Sequence, residues 1–209
     1  LPPNAQPAVL LLYHEQPASP SNINRLHNFP DNTIVVTNVL GHFEPKISHV
    51  PVSRYFRGLM KNYDFVFYIG DQTHAKLPAA FLEDIPSYPK VKVVWIRWNI
   101  DQLLAKQNSF YGFTALPLRG GFEQILYKEK TYAREDKEMI SPVDVLDWDS
   151  VKTSGILQSR TGFTAFSVHS KNLWYFPDAV FMTNTVAYLV FCDLLHDVFE
   201  IPHEIKQRF

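Results

Sequence analysis

The side chains able to do chemistry in this 209-residue chain gather where apolar runs stop. Val9-Leu10-Leu11-Leu12-Tyr13 is followed by His14-Glu15, and Asp64-Phe65-Val66-Phe67-Tyr68-Ile69 by Gly70-Asp71-Gln72-Thr73-His74. Val91-Lys92-Val93-Val94-Trp95-Ile96 leads into Arg97-Trp98-Asn99-Ile100-Asp101, and Thr33-Ile34-Val35-Val36-Thr37 into Asn38. Ligands of open α/β sheets sit beyond the carboxyl ends of the strands, where strand order reverses, so these polar ends are where a site is expected. The imidazole of His14 and the carboxylate of Glu15 offer acid/base chemistry to a hydroxyl. Gly70 permits close backbone approach, Asp71 can hold a cation or accept from a hydroxyl, and Thr73 adds a hydroxyl of its own. Asp and Thr are also ordinary helix starters, so a capping role competes with a ligand role at both positions.

Further along, Asp147-Trp148-Asp149 follows the β-compatible stretch Val143-Asp144-Val145-Leu146. On an extended chain the two carboxylates face one side. Hard oxygen ligands so placed can share a Mg2+ or Mn2+ that bridges a diphosphate, whereas in a turn each carboxylate is a local cap. The three residues resemble the DxD signature of GT-A glycosyltransferases, and the resemblance is confined to them. It implies a metal that neutralises a departing diphosphate.

Two basic, glycine-containing stretches are candidate anion sites. Arg119-Gly120-Gly121 stands where a helix is expected to begin, so that free N–H groups and a guanidinium converge. Arg160 lies in Ser159-Arg160-Thr161-Gly162-Phe163-Thr164, whose plainer reading is a hairpin turn. Neither matches GxGxxG or GxxxxGK[ST]. The eight histidines contain no HExxH, there is no Gly-x-Ser-x-Gly elbow, and Cys192 has no evident His partner.

These residues lead to the expectation of a nucleotide- or nucleotide-sugar-binding, transferase-like domain. His14, Glu15 and Asp71 would be its catalytic groups. Gly70, Thr73, Arg119, Gly120, Gly121 and Arg160 would contact the ligand, and Asp71, Asp147 and Asp149 would hold Mg2+ or Mn2+. The alternative is a non-catalytic interaction or assembly domain that meets a protein partner through an aromatic surface. Phe, Tyr and Trp make up 14% of the chain, and Asn172-Leu173-Trp174-Tyr175-Phe176-Pro177 is the candidate patch unless that loop tucks onto the core.

The elements that must position these groups follow from the same patterns. Apolar runs alternating with helical stripes predict one α/β domain over 1–209, a three-layer sandwich with a mixed or mostly parallel sheet. Its first half is Rossmann-like in layout and its C-terminal part an irregular extension. The run ending at Ile69 is apolar on successive residues and is the expected central strand, with those at Val9 and Val91, or one of them and Thr33, beside it. Ser53 to Lys61 and His74 to Ile85 are the expected crossover helices, with another at Ile100 to Gln107. Gly120-Gly121 is expected to open a helix through Leu126. Lys128 to Lys137 reads as a solvated helix face or loop, and Gly155 to Leu157 and Gly162 to Val168 as strands.

A final helix is expected from an N-cap at Asp178 to Phe199, the longest in the chain, with Phe181, Thr185, Tyr188, Leu189, Cys192, Leu195 and Phe199 toward its buried side. Asn184, Asp193, His196 and Asp197 interrupt it too often for a membrane span. Twenty Lys+Arg against 21 Asp+Glu provide no field for bulk nucleic-acid binding. The single cysteine rules out an intrachain disulfide and favours a soluble protein of a reducing compartment. An opening at Leu1-Pro2-Pro3, without an initiator Met, suggests a mature product or an excised domain.

Overall fold

The computed structural model describes residues 6–15, 31–115, 124–127, 130–133, 143–145, 152–159, 162–177 and 185–200. In chain order the elements are β1 (Ala8–Tyr13), α1 (Asp31–Gly41), β2 (Lys46–Pro51), β3 (Phe65–Gly70), α2 (Ala79–Ser87), β4 (Lys92–Arg97) and α3 (Ile100–Tyr111). Seven short or antiparallel strands follow: β5 (Phe113–Ala115), β6 (Gln124–Tyr127), β7 (Lys130–Ala133), β8 (Val143–Val145), β9 (Lys152–Ser159), β10 (Gly162–Ser170) and β11 (Leu173–Phe176). Helix α4 (Thr185–Phe199) comes last and is the longest described.

The sheet runs β2-β1-β3-β4-β11-β10-β9-β6-β7, with β8 beside β10 and β5 beside β8. The first five strands are parallel. The rest pair antiparallel. Strand β3 is central, between β1 and β4, as its unbroken apolar run requires: Phe65 to Gly70 is buried at every residue.

Alternate residues of the parallel strands point to two cores, which makes the three layers. Val9, Leu11, Phe67, Ile69 and Phe176 pack with Val36, Val39 and Leu40 of α1 and Phe191, Leu194 and Leu195 of α4. Leu10, Leu12, Val66, Tyr68 and Trp95 pack on the other face with Phe81 and Ile85 of α2 and Leu103 and Leu104 of α3. The β1-α1-β2 crossover moves to one side of β1 and the β3-α2-β4 crossover to the other. Right-handed crossovers in opposite directions put their helices on opposite faces, so the direction of winding reverses between β1 and β3.

Several expected elements are corrected. Thr33 to Thr37 is helical, within α1. Thr33, Val36, Val39 and Leu40 are buried while Ile34 is 42% exposed, a helical stripe that the β-branched run conceals. The second strand is β2, whose half-exposed, polar-interrupted residues between Pro45 and Pro51 give little apolar signal because it is an edge of the described sheet. Ser53 to Lys61 forms two single 3-10 turns, Val52–Arg54 and Leu59–Asn62. Gly58 at φ 81° between them cannot continue an α-helix.

The second expected crossover helix, His74 to Ile85, is helical only from Ala79 and runs on to Ser87. Pro78 occupies its N-cap, so Thr73 is not the cap. Residues Gln124–Tyr127 and Lys130–Ala133 form a hairpin rather than a helix and a loop, with Ile125 and Tyr127 alternately buried. Asn172 to Pro177 is not a surface patch. Leu173–Phe176 is the interior strand β11 between β4 and β10, buried throughout. In α4, Cys192 and Leu195 are buried as expected, but Leu189 is 44% exposed and Phe191, Leu194 and Val198 carry the packing instead. The expected cap at Asp178 and Phe181 lie outside the described residues. None of the described helices is long and apolar enough to cross a membrane.

Candidate functional site

Winding reverses between β1 and β3, the place where open α/β sheets take their ligands, and at the carboxyl ends there the chain places His14, Glu15, Gly70, Asp71 and Gln72, with Arg97 to Asn99 one strand further on. A closed ring of hydrogen bonds links the three strand ends. Asn99 Nδ2 donates to the Tyr68 hydroxyl at 2.9 Å and to the Gln72 carbonyl at 2.8 Å. Gln72 Nε2 donates to the Glu15 carbonyl at 3.2 Å. Tyr68 and His14 close the ring, with 2.8 Å between Oη and Nε2.

Tyr68 accepts from Asn99, so donating its own proton to His14 Nε2 satisfies every member of this chain. That assignment leaves His14 neutral with its proton on Nδ1. Burial acts in the same direction, holding the His14 pKa below its ordinary value. The Tyr68 hydroxyl is pushed up by burial and stays protonated.

Asp71 is nearly buried, with a side chain 9% exposed. Its Oδ1 accepts from Asn32 Nδ2, at the start of α1, and lies 3.9 Å from Arg97 Nη1. The Arg97 guanidinium also stands over the Trp98 ring, 5.5 Å from its centroid. Glu15 is bound by Arg54 Nη2 at 2.8 Å, both groups being largely exposed. Arg54 owes its place to the β2–β3 link, which buried Asp84 pins by accepting from Tyr55 Oη at 2.8 Å and Gly58 N at 2.6 Å.

The turn after β4 is the most constrained backbone here. Arg97 has φ 73° and Asn99 φ 70°, both in the left-handed region. Asn is tolerated there, but for Arg the conformation costs about 1–3 kcal/mol and persists only when the surroundings enforce it. Trp98 between them is fixed by its backbone: its carbonyl accepts from Trp95 Nε1 at 2.9 Å, and its amide points at the Gly70 carbonyl at 3.4 Å. A Cβ on Gly70 would lie 2.5 Å from Trp98 O and 2.7 Å from Trp98 N. The close approach that Gly70 permits is therefore made by the protein's own chain. Asn99 precedes α3 without a side-chain cap hydrogen bond, and its Nδ2 donates to Tyr68 and Gln72.

The strand-end residues expected from sequence thus come together at β1, β3 and β4, joined by Asn32, Tyr68 and Arg54, which sequence reasoning missed. Asn32 and Arg54 are distant in the chain, and Tyr68 sits inside an apolar run with no sign that its hydroxyl reaches the edge. Thr73 is exposed in the link toward α2. Thr37, expected at a strand end, lies within α1 and meets His49 Nε2 at 2.9 Å. Arg119, Gly120, Gly121, Asp147, Asp149 and Arg160 lie outside the described residues. Among the described residues no group of three or more His, Cys, Asp or Glu could hold a metal ion. Asp71 by itself fits one poorly, because Arg97 and Asn32 address its carboxylate.

A separate concavity of about 420 Å³ opens at the amino edge of the sheet, lined by Lys90, Lys92, Lys171, Trp174, Asp197 and Glu200. Its groups serve mainly to hold α4: Lys92 Nζ donates to the Val198 carbonyl at 3.0 Å and to Glu200.

No family model matches this chain, and no curated protein does. Among solved structures it is similar to a thua-like protein from Bacteroides uniformis ATCC 8492, with a TM-score of 0.63 and 9% identity over 93% of this chain and 92% of that one. The mmIFT52 N-terminal domain gives a TM-score of 0.60 at 11% identity, covering 94% and 99%. The exo-β-1,4-mannosidase Op5Man5 from Opitutaceae bacterium strain TAV5 gives 0.55 at 10% identity over 94% of this chain, which spans 34% of the mannosidase. At these identities the likeness shows a shared α/β fold and nothing finer.

Proposed function

We propose that this domain binds a small polar ligand at the carboxyl edge of β1, β3 and β4, the binding half of a transferase-like role. The observation that carries the reading is Arg97, a non-glycine residue held at φ 73° beside a nearly buried Asp71. A left-handed arginine at a strand end is a strained arrangement, and such strain clusters at ligand clamps and active sites. Its guanidinium is oriented by Asp71 and Trp98, which lowers the ordering cost of meeting a ligand.

Neutral His14 at the same edge is the group suited to take or give a proton. A transfer step through Mg2+ or Mn2+ calls in addition for Asp147 and Asp149 to reach this edge. A panel of nucleoside diphosphates, nucleotide sugars, inorganic phosphate and hexoses, with and without Mn2+, tests the reading by thermal shift. A ligand at 100 times its Kd adds about 2.7 kcal/mol of stability. The expected result is a shift with at least one class that Arg97→Gln abolishes. A shift of equal size in wild type and Arg97→Gln, or none with any class, overturns it.

A further inference from the structure

We infer that the moiety taken at this edge is a neutral, hydroxyl-rich ring of the sugar type rather than a phosphate, and that Trp98 is the platform it rests on. The inference rests on the proposed ligand site and specifies its chemistry. Charge balance is the first argument. Among the described residues at the three strand ends each guanidinium faces a carboxylate, Arg97 with Asp71 and Arg54 with Glu15. His14 is neutral, and Asp101 adds a carboxylate in the first turn of α3. A phosphate group is recognised by charge-assisted donors in excess of acceptors, and no such excess exists here.

Hydrogen-bonding type is the second argument. A hydroxyl both donates and accepts, so a polyol is matched by acceptors and donors set side by side. The edge supplies the carboxylates of Glu15 and Asp71 as acceptors and the amides of Asn32 and Gln72 and the Arg97 guanidinium as donors. The third is Trp98. Its indole is half-buried, its backbone is locked against Gly70, and Arg97 stands over it. A partly exposed ring on a fixed backbone is a surface that the apolar C–H face of a sugar can cover while the polar groups around it take the hydroxyls. Of the two halves of a nucleotide sugar, these groups fit the sugar.

Calorimetric titration of the 209-residue chain with glucose, galactose and mannose, and separately with inorganic phosphate and uridine diphosphate, at low and high NaCl, tests this. A neutral hexose is expected to bind with an affinity insensitive to salt. Trp98→Leu is expected to weaken it about five- to tenfold, with Trp98→Phe retaining most of it. Urea midpoints of both variants report folding, and in wild type a hexose-induced change in tryptophan fluorescence is the readout that needs no variant. Hexose binding unchanged by Trp98→Leu, or binding of phosphate and uridine diphosphate alone with steep salt dependence, overturns the inference and leaves the edge as a ligand site. If no compound binds the wild type, the site and the inference fall together.

Discussion

At the amino edge of the parallel sheet, lysines tie helices to strands. Lys92 reaches the α4 carbonyl end and Glu200, Lys171 lies 4.0 Å over the Phe110 ring, and Asn172 Nδ2 donates to the carbonyls of Ile85, Tyr88 and Val91. At the carboxyl edge the polar groups tie strand ends to one another through His14, Tyr68, Asn99 and Gln72, across two left-handed residues. The first edge fastens packed elements with charge on flexible side chains and with the buried amide of Asn172. The second uses backbone geometry and buried neutral donors to hold functional groups in fixed relation. Left-handed non-glycine residues occur at both edges, Lys171 and Glu200 at the first and Arg97 and Asn99 at the second, but only at the second do two of them flank a single residue, Trp98.

The contrast breaks most severely at Gly70. Gly70→Ala pushes a Cβ into the Trp98 backbone, which cannot yield as a side-chain tip would. We expect a loss of about 3 kcal/mol, read from the urea midpoint, together with loss of any ligand-induced thermal shift. A stability unchanged in this variant would show that the turn at Trp98 is slack.

Tyr68→Phe removes the hydroxyl that links His14 to Asn99 and leaves buried polar groups without it, for an expected loss of about 1–3 kcal/mol. The same chain sets a pH dependence. The folded pKa of His14 is depressed, so between that value and its ordinary value of about 6.5 the unfolded chain binds more protons than the native one. Stability from this group is complete above pH 6.5 and falls as the solution is acidified toward the folded pKa. His14→Asn should flatten that part of the stability-versus-pH curve relative to wild type. An identical slope in the two proteins would mean that His14 is not the titrating group.

At the amino edge Lys92→Met keeps the stem and removes the ammonium. Glu200 is 76% exposed at its side chain, so screening leaves an expected loss of only about 1 kcal/mol, shrinking at high salt. A larger, salt-independent loss would make the two edges alike. The smallest effect is expected at Gly41, the last residue of α1, where a Cβ meets nothing within 4 Å. Gly41→Ala should stabilise by about 0.5–1 kcal/mol, measured as a rise in midpoint without a change in m-value.

Successive buried apolar residues over 9–13, 65–69 and 93–96, short and bounded by polar or turn residues, pointed to a doubly covered sheet with β3 at its centre. The ends of those strands carry His14, Glu15, Asp71 and Arg97, so a parallel arrangement alone puts them at one edge. Short β-branched runs do not announce their period, so Thr33 to Thr37 read as strand although it is the α1 stripe. Asn172 to Pro177 read as loop or patch because its parallel neighbour β4 comes from a distant part of the chain, although β10 precedes it by only a tight turn.

What the sequence by itself determined is the layered architecture and the polar character of the strand ends, since both follow from local alternation of apolar and polar residues. Tertiary structure alone decided that Asn32 reaches Asp71, that Tyr68 turns its hydroxyl to His14 and Asn99, and that Arg97 and Asn99 turn left-handed around Trp98. The hydrogen bonds among them join residues 31 to 54 positions apart, from Asn99 and Tyr68 to His14 and Tyr68, and only closure of the sheet brings such pairs within reach.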